Sequence, residues 1–88
     1  MKTYYIHSDP GHAWLAVKRK ELSELGILNK ISSYSYQKGK TVYLEEDCDI
    51  AHFIDAIGGE DKFRKLNLKE TFKEKTPIRN YAHFYLGD

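Results

Sequence analysis

The apolar and polar positions along this chain fall into short blocks separated by turn residues. Thr3 to His7 is rich in aromatic and β-branched residues and predicts a strand. Asp9-Pro10-Gly11 follows as a turn, with Pro pre-setting φ and Gly free to take φ > 0. Trp14 to Val17 predicts a second strand, paired with the first or beside it. In Lys18 to Leu25, Leu22 and Leu25 share a helical face, and Gly26 supplies a stop. Ser32 to Gln37 and Thr41 to Glu45 read as a hairpin closed by Lys38-Gly39, with Tyr34 and Tyr36 on one face. Asp47 to Ile57 carries the clearest helical pattern. Ile50, Phe53, Ile54 and Ile57 lie at i, i+3, i+4 and i+7, with Asp47 as N-cap and Gly58-Gly59 as the end. Lys65 to Phe72 alternates as a strand would. Beyond Pro77, Ile78 to Leu86 suits a strand or a docked terminal segment. The order β-β-α-β-β-α-β predicts an α+β fold: a small antiparallel or mixed sheet with two short helices on one face.

Composition narrows the class. The chain has 88 residues, enough for one domain spanning 1–88 and no second core. Its 41% hydrophobic and 14% aromatic content supports a packed core. No apolar run approaches a membrane span, and the N-terminus does not resemble a signal peptide, so a soluble cytoplasmic protein with no membrane partner is expected. The single cysteine, Cys48, excludes a disulfide framework and a cysteine-based zinc site. A core of this size leaves either a monomer or a homodimer paired through a strand edge.

A net charge of +1 hides an asymmetry. Between Thr41 and Asp61 there are seven acids and no Lys or Arg, whereas residues 17–40 and 62–88 each carry a net +4. Charge runs of this kind are usually solvated faces that neutralise neighbouring elements. The sharper reading is an acidic surface formed by Glu45, Glu46, Asp47, Asp49 and Asp55 that docks on a basic partner. The alternative is a nucleic-acid or nucleotide-binding surface using Lys18, Arg19, Lys20, Tyr34, Tyr36 and Arg79. Tyr43, with Lys38 and Lys40, belongs to the same hairpin, and Tyr81, His83 and Tyr85 alternate after Arg79.

Positive signals for catalysis are absent. The chain has no P-loop, dinucleotide fingerprint, nucleophile elbow or His-Glu-x-x-His. His7, Asp9 and His12 surround the first turn, but their spacing matches no metal motif, so they are weak metal candidates and no cofactor is expected. Cys48 and His52 stand at i, i+4, a reachable thiol–imidazole pair, yet Asp47 and Asp49 oppose thiolate formation. A non-enzymatic binding protein is the expectation.

The stretch His7-Ser-Asp-Pro-Gly-His12 through Trp14-Leu15, then Leu25-Gly26-Ile27, Lys30-Ile31-Ser32-Ser33-Tyr34-Ser35-Tyr36 and Tyr43-Leu44-Glu45-Glu46-Asp47-Cys48-Asp49, resembles small uncharacterised accessory proteins encoded by bacteriophages, prophages and plasmids. The likeness covers about two-thirds of the chain and transfers no catalytic residue. It implies a bacterial cytoplasm and a host protein or protein complex as partner. Inhibition of a defence system, such as CRISPR or restriction, is one such role.

Overall fold

The computed structural model describes residues 2–87. Strands β1 (Thr3–Ser8) and β2 (Ala13–Lys18) form the first hairpin, followed by helix α1 (Arg19–Glu24) and a 3₁₀ turn, Leu28–Lys30. Strands β3 (Tyr36–Lys38) and β4 (Thr41–Glu45) form the second hairpin. Then come helices α2 (Ile50–Ile57) and α3 (Glu60–Arg64), strand β5 (Asn67–Phe72), a second 3₁₀ turn (Pro77–Asn80) and the short strand β6 (Ala82–His83). All six strands join one mixed sheet in the order β5-β1-β2-β4-β3-β6. β5 runs parallel to β1, and every other pairing is antiparallel. The expected α+β class and the predominantly antiparallel sheet are therefore present.

The periodicities explain where the core sits. Tyr4, Leu15, Val17, Val42 and Leu44 alternate onto one face of the sheet and pack against Leu22 of α1 and Phe53 of α2. Ile27, Ile31 and Phe84 close the same core from the connecting segments. Phe53 is fully buried, with its ring 5.6 Å from Tyr4 and 6.3 Å from Phe63. The Tyr4 hydroxyl donates to Glu21. Burial and that carboxylate push its pKa up to about 12.

Several expected boundaries shift for identifiable reasons. The strand expected over Ser32–Gln37 begins only at Tyr36, because residues 32–35 turn around a buried carboxylate. Tyr34 therefore does not share a strand face with Tyr36. The hairpin loop is Gly39-Lys40 and not Lys38-Gly39, since Lys38 pairs with Thr41; Gly39 takes φ +59° at the first loop position. Asp47 is not the cap of α2. Asp49 precedes the helix and makes no cap bond; its carboxylate instead accepts from the Ser32 amide at 3.1 Å, the Ser32 hydroxyl at 2.7 Å and the Ser35 hydroxyl. α3 carries only one apolar residue, Phe63, which is too few to form a stripe, so a third helix was not expected. The segment Ile78–Leu86 is a 3₁₀ turn plus a two-residue strand.

Truncating Phe53→Ala should lower the unfolding free energy by about 3–5 kcal/mol. Urea denaturation followed by circular dichroism measures it, and a loss below ~1 kcal/mol would show that this ring does not anchor the core.

Candidate functional site

The opposite face of the sheet carries the candidate chemistry. Register aligns Tyr5, Ala16, Tyr43, Tyr36 and His83 in one row across five strands. Lys69 of β5 stands beside Tyr5. A second row contains Lys18, Thr41 and Lys38, and a third contains Thr71, His7, Trp14 and Glu45. Because β5 and β6 lie at opposite edges, the chain between them has to recross the sheet. It does so over this face. The Lys73 amide donates to the Ser8 carbonyl, Ile78 is buried, Arg79 lies 5.4 Å from the Trp14 ring, and Tyr81 lies 5.3 Å from Tyr43.

This crossing segment divides the face into an open half and a covered end. In the open half Tyr5 is 44% exposed, Ala16 leaves a shallow gap, and Lys18, Lys38 and Lys69 are exposed. Lys38 sits 4.8 Å over the Tyr81 ring, and Lys18 donates to Thr41 at 3.3 Å. No Asp or Glu projects from the strands of this half. Lys2, Lys20 and Lys40 line a groove at the adjoining edge with Lys18, together with Glu21, which pairs with Lys2, and Glu24. Burial and Tyr81 raise the Tyr43 hydroxyl pKa, keeping it neutral and able to donate.

The covered end is pinned by one ion pair. Asp9, almost fully buried, accepts from Arg79 Nε at 2.6 Å and Nη2 at 2.9 Å, and from the Gly11 and His12 amides at 2.9 and 3.0 Å. Arg79 holds the Asp9 carboxyl well below the usual carboxylate range, assisted by those amides, while desolvation opposes them. Gly11 does not take the positive φ expected of it. A side chain there would meet Arg79 Nη2 at 2.9 Å, so this glycine provides room for the guanidinium. Beside the pair lies a cleft of about 300 Å³ whose lining includes His12, Trp14, Tyr36, Glu45, Asp47 and His83. Tyr36 stacks on His83 with ring centroids 4.8 Å apart. Two buried polar atoms in this lining have no hydrogen-bond partner among the described residues: Trp14 Nε1 and Glu45 Oε2.

These placements separate the residues singled out in the sequence. Of the acidic set, Glu45 and Asp49 are drawn into the fold and spent on internal hydrogen bonds, while Glu46, Asp47 and Asp55 are exposed. Of the basic and aromatic set, Lys18 and Lys20 are exposed. Arg19 is engaged by Gln37 and by the Tyr85 and Leu86 carbonyls, Arg79 by Asp9, and Tyr36 by His83. Tyr34 is exposed on the cleft rim. The triad His7, Asp9 and His12 does not converge. His7 Nδ1 is 2.8 Å from Thr71 Oγ1, and Asp9 faces Arg79. Desolvation and Lys73 lower the His7 pKa. Cys48 lies in the turn before α2, outside the helix that would set an i, i+4 pair with His52. Desolvation and Glu45 push its thiol pKa up, the reverse of what a nucleophile needs. Tyr5, Lys38 and Lys69 meet on one surface only through sheet register, and Tyr81 joins them only through the crossing segment, so no local pattern marks the four as a set.

No protein-family model matches the chain, and comparison with curated proteins and with solved structures found no match. No helix among the described residues is long and apolar enough to cross a membrane.

The Asp9 environment has a consequence for stability. Its folded pKa is depressed, so the unfolded chain takes up a proton that the native state refuses. Stability from this group is present above the ordinary carboxyl pKa of about 4 and is lost as pH falls below it. Asp9→Asn should therefore be clearly less stable than the parent at neutral pH and closer to it in acid. Urea midpoints at both pH values test this; an equal gap at both would contradict the assignment.

Proposed function

We propose that this is a non-enzymatic accessory protein that binds a host macromolecule, and that the macromolecule is single-stranded nucleic acid lying on the open half of the sheet. The observation that carries this reading is the acid-free surface on which Lys18, Lys38 and Lys69 surround Tyr5, Tyr43 and Tyr81. Aromatic rings on a sheet offer flat apolar faces to bases, and the surrounding ammonium groups meet the phosphates. Stacking is tolerant of sequence because every base has a π-face, so broad specificity is expected. The adjoining edge adds Lys20 and Lys40 to the path for a backbone leaving the sheet, while Lys2 there is paired with Glu21. The likeness to mobile-element proteins is compatible with such a role, since the defence systems those elements meet act on nucleic acid.

Docking of a basic protein on the acidic segment has less to support it. Two of its five carboxylates face inward, and the exposed remainder is Glu46 and Asp47 in one turn with Asp55 on α2.

Fluorescence anisotropy with a labelled single-stranded oligonucleotide tests the proposal. Three lysine contacts predict a log–log salt slope near −2, at about 0.7 per phosphate contact. Tyr5→Ala should remove ~1–3 kcal/mol of binding. Lys18→Glu should weaken binding further at low salt than at high salt. Absent or salt-independent binding, or full affinity in both folded variants, would overturn the reading.

A further inference from the structure

The covered end of the face holds a second feature that nucleic-acid binding does not use. β4 ends at Glu45, which pairs with Trp14, and the Glu46 amide donates to the Ala13 carbonyl at 3.1 Å. The next turn is thereby folded back toward the β1–β2 loop. Glu45 Oε1 accepts from the Asp47 and Cys48 amides at 2.9 and 3.0 Å, which fixes the carboxylate plane. The other oxygen, Oε2, then faces His12 Nδ1 at 3.4 Å, beyond ordinary hydrogen-bond length. Glu45 is only 7% exposed, and Oε2 has no hydrogen-bond partner among the described residues. A buried carboxylate oxygen is costly unless a cation meets it, and here that cation is either a protonated His12 or a metal ion held jointly by His12 and Glu45.

We propose that His12, Glu45, Glu46 and Asp47 form a divalent transition-metal site, with Zn²⁺ the best-fitting ion. These four side chains each offer one ligand atom, and those atoms all lie within 4.8 Å of one another. Two ligand atoms bound at about 2.05 Å to a tetrahedral ion stand about 3.4 Å apart, which is the separation between His12 Nδ1 and Glu45 Oε2. The imidazole nitrogen selects against Mg²⁺ and Ca²⁺, which take oxygen ligands. Exposed Glu46 and Asp47 need move only a short way to complete the shell. Trp14 lines the same cleft, and its buried indole N–H has no hydrogen-bond partner among the described residues. This set is unlike the spacing His7-x-Asp9-x-x-His12; only His12 is common to both. It stands independently of nucleic-acid binding.

The experiment is calorimetric titration of Zn²⁺ into chelator-treated protein, with the emission of Trp14, the only tryptophan, as a second readout. The Trp14 ring lies 6.0 Å from the His12 ring, so occupancy should change its emission. One saturable site per chain is expected. Glu45→Gln keeps the acceptor that holds the turn, and His12→Gln alters an exposed ring, so both variants should fold. Each should weaken Zn²⁺ binding by at least about tenfold, while His7→Gln leaves it unchanged. No saturable binding, equal affinity for Ca²⁺, or binding that survives both substitutions would overturn the site.

Discussion

The bidentate ion pair between Arg79 and Asp9 links the end of the chain to its beginning, and most of the unusual geometry depends on it. The sheet places β5 and β6 at opposite edges, so the nine residues between them, 73–81, could cross either face. A nearly buried carboxylate, already holding two backbone amides of the first turn, gives the crossing segment a fixed point. Fork-to-carboxylate geometry is directional, so Arg79 is oriented as well as attracted. Its guanidinium then lies over Trp14, Ile78 is carried into the face, and Tyr81 reaches Tyr43. Without that pin the aromatic row would stand open along its whole length and the cleft would lose a wall.

A second carboxylate does comparable work just before α2. Asp49 is 1% exposed and gathers the Ser32 amide and the hydroxyls of Ser32 and Ser35. Ser35 Oγ also accepts from the Glu45 amide at 2.9 Å. One network thus connects the segment before β3, the end of β4 and the start of α2. Losing one member leaves buried groups without partners, and such networks are lost as a unit rather than bond by bond. The fold therefore uses acids as internal fasteners in a region that the linear sequence presents as a charged run.

That contrast explains what could be read from the residues alone. The hydrophobic stripe of α2 and the alternations of β1, β2 and β4 are local patterns, and they place Phe53, Tyr4, Leu15, Val17, Val42 and Leu44 in the core, with Ile50 and Ile57 partly buried against it. Run-length charge is also local, but the direction of each side chain is not. Glu45 and Asp49 lie in the same acidic stretch as Glu46 and Asp47 yet face inward, because strand register and the serine network orient them. The row from Tyr5 to His83 draws on five strands and no two of its members are sequence neighbours. Likewise Arg79 reads as a free cation beside tyrosines until its partner, seventy positions earlier, is known. The end of the chain, which suits a strand or a docked segment, is mostly the latter, with Ile78 and Phe84 buried and only Ala82–His83 in the sheet; nothing local marks the surface on which it lies.

The sheet face as a whole is polarised, and this bears on how one small domain could carry two kinds of binding. Lysines occupy the row at the far end of β2 and β4, where no carboxylate neutralises them on the strands. The carboxylates of Glu45, Glu46 and Asp47 gather at the other end, next to an imidazole. The carboxylates of the second end would repel phosphates, so a bound polyanion would be favoured on the open half. A cation at the second end would soften that repulsion, and metal loading would then extend the surface accessible to a strand without altering any residue that stacks against a base. The two ends share the rigid β2–β4 pair, whose ladder runs unbroken from Trp14–Glu45 to Lys18–Thr41. If both ends bind as proposed, coupling between them is electrostatic, carried by charge across the sheet, and should weaken as added salt shortens the screening length.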